Sequence, residues 1–372
     1  MSFAAELAKL DWDQLALTIN SKTAADVERA LAKPKRDWQD FLALVSPAAD
    51  SYLEPLAINS QRLTQQRFGR NIGLYVPLYL SNLCANDCDY CGFSMSNKLK
   101  RHTLTDDELS AEIGAIKKLG FDSLLLVTGE HETKVGIDYF RRTLPQIKPH
   151  FNYLMMEVQP LDTEEYAELK TLGLDAVMVY QETYHRRTYA EHHLRGNKTN
   201  FDYRLATPER LGQAGIDKVG IGVLLGMANW RVEAALLAAH LDYLQRTYWR
   251  TRYSVSFPRL RPCTGGIEPV SPVGERQLLQ LICALRLFAP EVDLSLSTRE
   301  SARFRDNAFQ LGVTTASAGS STSPGGYATP NDDLAQFDID DNRSPQAVAE
   351  AIKAIGMQPV WKDWDPAYSG KI

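Results

Sequence analysis

From about residue 70 to about residue 316 the chain repeats one pattern: a short, almost wholly apolar run, then a longer stretch with apolar positions three and four apart. Eight runs read as strands, over 74–80, 123–128, 153–159, 176–181, 218–224, 253–257, 293–297 and 313–316. Several are apolar at every position instead of every second one, which marks parallel strands covered on both faces. The stretches between them read as helices with legible starts. Thr105-Asp-Asp-Glu108 is a capping box, Asp162 is followed three residues on by Glu165, and a long helix spans about 229–248. Eight strand–helix units in about 250 residues is the arithmetic of a TIM-type (β/α)8 barrel. A doubly wound sheet fits eight serial units less naturally.

Two flanking regions break the pattern. Residues 1–70 read as an N-terminal helical extension, with helical spacing over 24–33 and 37–44 and Pro34 between them. The barrel is expected over 71–328, and 329–372 as a loop, helix and tail packing on it. Ser317-Ala-Gly-Ser-Ser-Thr-Ser-Pro-Gly-Gly-Tyr327 reads as a flexible small-residue loop, and Asp332 to Asp341 as an acidic segment. Ser344-Pro345 opens a last helix, and Val360-Trp-Lys-Asp-Trp364 reads as an exposed aromatic stretch.

Composition changes this picture little. With 44% hydrophobic and 23% charged residues, the 372-residue chain is an ordinary folded protein. A formal net charge of −5 gives no support for a nucleic-acid surface. Apolar runs such as Leu124-Leu-Leu-Val127 are far too short to span a bilayer, so no membrane is expected. The first residues lack the basic and apolar regions of a secretory signal. The expected setting is cytoplasmic and reducing.

Chemistry enters with three of the five cysteines. Cys84, Cys88 and Cys91 stand in a C-x3-C-x2-C spacing on the loop after the first strand. Iron–sulfur clusters usually take four cysteines, so three on one loop leave one iron of a [4Fe-4S] cluster open to another ligand. A structural zinc site would need a fourth ligand at characteristic spacing, and the next histidine, His102, is eleven residues on. A disulfide framework would need an abundant, even set of cysteines. Cys263 and Cys283 are isolated, and Cys283 reads as a packed helical residue.

In a β/α barrel the active site lies at the C-terminal strand ends. Here those ends carry the cysteine loop, Thr128-Gly-Glu130, Glu157-Val-Gln159, Gln181-Glu-Thr-Tyr-His185, Pro258-Arg-Leu-Arg-Pro262, Ser297-Thr-Arg-Glu300 and Ser317-Ala-Gly-Ser320. Carboxylates and arginines thus share one rim with the metal loop. After the fourth strand Arg186, Arg187, Arg195, Lys198 and Arg204 form a basic run, most of which a solvated helical face would explain. Adjacent His192 and His193 point in different directions on a helix or strand, which argues against zinc.

These strings resemble the radical S-adenosylmethionine (radical SAM) aromatic amino-acid lyases. Tyr90 before the last cysteine fits the cluster signature, and Thr128-Gly-Glu130 resembles the motif that holds the SAM amino group. The likeness runs from about residue 70 to the C-terminus and is strongest to the tyrosine lyases of thiamine thiazole biosynthesis, the ThiH group. The sister hydrogenase-maturation lyases carry further C-terminal cysteines, which this chain lacks. The resemblance implies a [4Fe-4S] cluster on Cys84, Cys88 and Cys91, with SAM on the open iron. It implies Cα–Cβ cleavage of L-tyrosine to 2-iminoacetate (dehydroglycine) and p-cresol, begun by hydrogen abstraction from the substrate amine. Tryptophan is the alternative substrate. It assigns Thr128, Gly129 and Glu130 to the SAM ammonium group, Glu182 to the ribose and Gly222 to the adenine; one residue of the basic run is expected at the SAM carboxylate, with Lys198 the choice among them. Arg299 is assigned to the substrate carboxylate, and Ser317 or, more weakly, Ser320 to its amine. A salt bridge of Arg299 to Glu300 or Glu291 is the structural alternative. The implied partners are the thiazole synthase ThiG and an electron donor such as a flavodoxin.

Overall fold

The computed structural model describes residues 2–330 and 334–362. Eight parallel strands follow one another around a closed barrel: β1 (Asn71–Ser81), β2 (Ser123–Thr128), β3 (Tyr153–Glu157), β4 (Ala176–Glu182), β5 (Lys218–Val223), β6 (Arg252–Ser256), β7 (Asp293–Leu296) and β8 (Thr315–Ser317). The ring closes where β8 meets β1, with Gly73 opposite Thr315, Leu74 opposite Ala316 and Tyr75 opposite Ser317. A further short strand, Gln358–Val360, adds to β1 from the C-terminal tail.

The apolar runs have a simple cause. Alternate residues of a strand point to opposite faces. Leu74, Val76 and Leu78 of β1, Leu124 and Leu126 of β2, and Leu154 and Met156 of β3 pack outward into one continuous core with the helices. Tyr79, Leu125, Val127, Met155 and Met178 point inward and form a second cluster inside the barrel, joined by Tyr75, Tyr153 and Tyr180. Both faces are apolar, so the strands read as unbroken. Each fully buried Leu or Phe contributes roughly 1.5–3 kcal/mol. Replacing buried Leu126 by Ala would open a cavity at a cost of roughly 2–5 kcal/mol.

The helices start where the sequence marks them. Thr105 and Asp162 open capping boxes, Asn229 caps the helix Trp230–Thr247, and Ser344 caps Pro345–Ala354. The N-terminal helices pack on the barrel and share its core through Phe41, Leu42 and Leu44. Trp38 Nε1 donates to the Ala235 carbonyl at 2.8 Å, which ties them to the helix after β5. Among the described residues no helix is long and apolar enough to cross a membrane.

Two expectations about the tail are corrected. The segment 317–327 is packed: Ser317, Ala318, Thr322 and Ser323 are buried, and Tyr327 donates its hydroxyl to the Pro77 carbonyl at 2.7 Å. Its small residues serve close passage beneath the tail, where the Gln336 amide reaches the Thr322 carbonyl at 3.1 Å. Trp361 is not exposed but meets Phe121 edge to face, with ring centroids 5.2 Å apart. Trp364 lies outside the described residues, as do Asp332 and Asp333 of the acidic segment.

Candidate active site

The cysteine loop is held by its own polar side chains. Asp87 accepts from the hydroxyls of Ser94 and Ser96, each at 2.6 Å, and the Ser94 hydroxyl accepts from the Cys88 amide at 3.1 Å. Arg101 donates to the carbonyls of Asn82, Phe93 and Ser94. Asp87–Cys88 also pairs with His193–Arg195, tying the first loop to the loop after β4. Gly129 has to be glycine, because a Cβ there would stand 2.4 Å from the Leu83 carbonyl oxygen and 3.1 Å from Cys84 Cβ. The end of β2 therefore lies directly against the cysteine loop.

Cys84, Cys88 and Cys91 are unpaired thiols that line one cleft of about 970 Å³, part of it open to solvent. Burial pushes the Cys84 thiol up to about 11 and Cys88 higher still, so cations are needed to hold them as thiolates. Among the described residues no three metal-ligating groups converge on a single ion. Three thiols on one cleft match a cubane, which takes one thiolate per iron. The Asn86 amide points at Cys84 Sγ at 3.5 Å, and the Gln336 side chain at Cys91 Sγ at 3.6 Å. Thr128 Oγ1, at the same cleft, is buried without a partner. The residues present fit a three-thiolate cluster with a polar ligand beside it.

Above β2 and β4 lies a closed network of four charges. Arg204 Nη1 donates to Glu130 at 2.9 Å and its Nη2 lies 3.5 Å from Glu182, which Lys198 Nζ meets at 2.7 Å. Asn86 joins the two sides, donating to Glu130 at 2.7 Å and accepting from the Lys198 amide at 3.0 Å. Burial pushes both carboxyls up, but Arg204 and Lys198 outweigh it and hold them below the ordinary carboxylate range. The solvated face accounts for Arg186, Arg187 and Arg195, which are exposed. Arg204 is buried and Lys198 mostly so, because two carboxylates from distant strands meet them.

Glu182 has φ +68°, the only positive value at a non-glycine among the described residues. Such a conformation costs roughly 1–3 kcal/mol. It sits at a register shift between β4 and β5, and Glu233 pins it from outside the barrel by accepting from Thr183 Oγ1 and from the Tyr184 amide. The bulge turns the Glu182 carboxylate toward the cleft, which it lines.

The other side of the cleft is less complete. Arg299, after β7, makes no ion pair among the described residues. Its expected structural partners are taken: Glu300 by Arg259 and Glu291 by Arg67. The Arg299 guanidinium lies 3.5 Å from the Phe337 ring centroid and faces the cleft. Ser317 Oγ accepts from the Thr298 amide at 3.1 Å, whereas Ser320 Oγ is buried with no partner. Glu157, at the top of β3, borders both the cysteine cleft and its extension beside Arg299, Ser317 and Ser320.

Tyr90 donates to neutral His193, whose other ring nitrogen donates to the Tyr189 carbonyl. Burial lowers the His193 pKa to about 2. His192 turns instead to Asp89. Gly222 stands below the cleft, where a Cβ would come within 2.9 Å of the Tyr180 ring, and Leu224 supplies the lining there. Sequence reasoning missed Arg204 as a site residue, and also Gln336 and Phe337. The tail residues carry no local signal, but Arg204 stands at the one place where two rim carboxylates need a cation.

A closed parallel barrel that gathers three cysteines and matched charges on its C-terminal rim is the architecture of the Radical SAM superfamily, whose profile matches residues 78–238. A Biotin and Thiamin Synthesis associated domain matches residues 256–358. The chain is 61% identical to 2-iminoacetate synthase of Escherichia coli, across 100% of this chain and 98% of that one. It is 60% identical to the 2-iminoacetate synthase of Salmonella typhimurium, across 98% and 97%. The structure of the FeFe-hydrogenase maturase HydG from Carboxydothermus hydrogenoformans superposes with a TM-score of 0.84 at 28% identity, across 99% of this chain and 84% of that one. The chain belongs to the 2-iminoacetate synthase family of radical SAM lyases.

Proposed function

We propose that this protein cleaves the Cα–Cβ bond of L-tyrosine, giving 2-iminoacetate and p-cresol for thiazole formation in thiamine biosynthesis. SAM is consumed to 5′-deoxyadenosine and methionine. When bound, the [4Fe-4S] cluster and SAM supply the 5′-deoxyadenosyl radical that removes a hydrogen atom from the substrate amine. The protein's own residues bind, orient and exclude water.

Cys84, Cys88 and Cys91 would hold the cluster, with Tyr90 beside the loop. The backbone of Thr128 and Gly129 and the Glu130 carboxylate would take the SAM ammonium, Glu182 the ribose and Lys198 the SAM carboxylate. Arg299 would fork onto the tyrosine carboxylate, a bidentate pairing that fixes register. Ser320 and Ser317 would stand beside the substrate headgroup. The observation that carries this reading is Arg299, which faces the cysteine cleft with one hydrogen bond to the Arg259 carbonyl at 3.4 Å and no ion pair among the described residues. Full-length identity to two 2-iminoacetate synthases supports it.

A product that hydrolyses in water calls for a nearby acceptor. The thiazole synthase ThiG, a flavodoxin-type donor and a cytoplasmic setting complete the proposal. The test is anaerobic incubation of the reconstituted, reduced enzyme with SAM and tyrosine. Release of p-cresol is expected. Consumption of tryptophan with no p-cresol would overturn the substrate.

A further inference from the structure

One charged side chain on the rim has no partner and no role above. Glu157 ends the inward stripe Tyr153, Met155, Glu157 of β3. Its side chain makes no hydrogen bond and no ion pair among the described residues. The groups around it come from four directions: Tyr75 and Tyr79 of β1, Tyr180 and Glu182 of β4, Lys198 and Arg204 after β4, and Arg299 after β7. Arg299 acts on Glu157 electrostatically, yet the two do not close into a salt bridge. Both border the cysteine cleft and its extension. An unjoined acid and base on facing strands form a gap with one negative and one positive wall.

An α-amino acid headgroup has the complementary shape, with a carboxylate for Arg299 and an ammonium for the acid opposite. We propose that Glu157 receives the substrate α-ammonium group and accepts one of its protons, presenting the nitrogen as a neutral amine. The proposal rests on the reading that an amino acid is cleaved by attack at its nitrogen. The step balances: the N–H bond breaks heterolytically, its electron pair stays on nitrogen, and the proton forms an O–H bond on the carboxylate. No electron is gained or lost. Hydrogen-atom removal from the neutral amine then leaves an electron on nitrogen adjacent to Cα, placed to break the Cα–Cβ bond.

The other carboxylates above β2 and β4 are committed elsewhere, and a serine hydroxyl such as that of Ser320 is too weak a base to take a proton from an ammonium group. Glu130 and Glu182 are engaged by Arg204 and Lys198, and Ser317 accepts from the Thr298 amide. Burial raises the Glu157 carboxyl to about 7, with Arg299 opposing the rise. A peptide α-amino group titrates near about 8; in a free amino acid the neighbouring carboxylate raises this, and burial beside the Arg299 cation lowers it again. Donor and acceptor are therefore close in proton affinity, the condition for efficient transfer.

The test compares two ligands on the cluster-loaded protein: tyrosine and 3-(4-hydroxyphenyl)propionate, which lacks only the amine. Calorimetry on the native protein should show tyrosine bound roughly 30-fold more tightly, the scale of one charge-assisted hydrogen bond. Glu157→Gln should reduce that preference to under about threefold while the affinity for the propionate stays unchanged, which also reports an intact fold. Glu157→Asp should keep most of the preference. In turnover, Glu157→Gln should still cleave SAM but release little p-cresol. If Glu157→Gln keeps the full preference together with p-cresol release, or if Glu157→Asp loses the preference as completely as Glu157→Gln, the proposal falls. If the native protein itself makes no p-cresol, the tyrosine reading falls instead.

Discussion

Two groups of buried charge stand on the same rim, and they differ in completeness. Above β2 and β4, Glu130, Glu182, Lys198 and Arg204 neutralise one another within hydrogen-bond reach. Above β3 and β7, Glu157 and Arg299 face a shared cavity without joining. Buried ions are costly unless paired. The first group is therefore set before any ligand arrives, and the second is completed by one. The floor of the barrel makes the same point, since Lys218 and Asp293 are paired there.

The largest perturbation removes what both groups face. Cys88→Ser should reduce bound iron from about four per chain to near zero and lower tyrosine cleavage by roughly a thousandfold or more. Iron analysis and visible absorbance check this, and retained SAM cleavage would remove Cys88 from the ligand set. Next is the closed group. Arg204→Met leaves two carboxylates unmatched and should cost roughly 3–5 kcal/mol of folding stability, seen in urea or thermal melts. A variant as stable as the parent would mean that the network is not self-contained.

Arg299→Met should act differently, raising the KM for tyrosine by roughly 30- to 150-fold, or about 2–3 kcal/mol, with SAM affinity and stability nearly unchanged. A large stability loss would erase the distinction between the two groups.

Acidity separates them by sign. The folded-state carboxyls of Glu130 and Glu182 are lowered, so their stabilisation is present above the unfolded value near about 4.3 and fades as pH falls through the lower folded values. Glu157 is raised to about 7, so its cost grows from about 4.3 up to that value and then levels. Glu157→Gln should thus be more stable than the parent near neutrality, and the difference should vanish in acid. Urea midpoints across that range would show it, and a constant difference would contradict it.

The smallest effects concern the two serines. Ser317→Ala strands the buried Thr298 amide and should cost about 1 kcal/mol. Ser320→Ala removes a hydroxyl that already lacks a partner, and should leave stability within about 0.5 kcal/mol.

What could be read from the chain follows the range of the interaction. Strand runs, helix caps and the cysteine spacing are local, and the eight strands, Thr105, Asp162 and the loop at Cys84 stand where their patterns place them. Arg204 and Lys198 look like a surface charge run because their partners lie on other strands, up to 74 residues away. Gln336 reaches Cys91 across 245 residues, and nothing beside it announces that. The segment 317–327 looked mobile because small residues serve both free loops and tight passages. Glu157 was partly legible, as the polar end of an otherwise apolar inward stripe, but its lack of a partner is visible only in three dimensions.

The closure of the barrel has a consequence for how the protein is made. Tyr75 of β1 pairs with Ser317, which is 317 − 75 = 242 residues later in the chain. At roughly 5–20 residues per second, the ribosome takes on the order of 10–50 s to deliver that partner. During this interval the nascent β1 has an open edge, and the cysteines just beyond it lack the roof that Gln336 and Phe337 later provide. Ribosome-bound chains stalled after Gly312 should therefore show Cys84 and Cys91 alkylated much faster than in the released protein. Equal rates would show that the late residues do not shield the loop. The open edge gives assembly factors an entry to the thiols, and gives oxidants the same one.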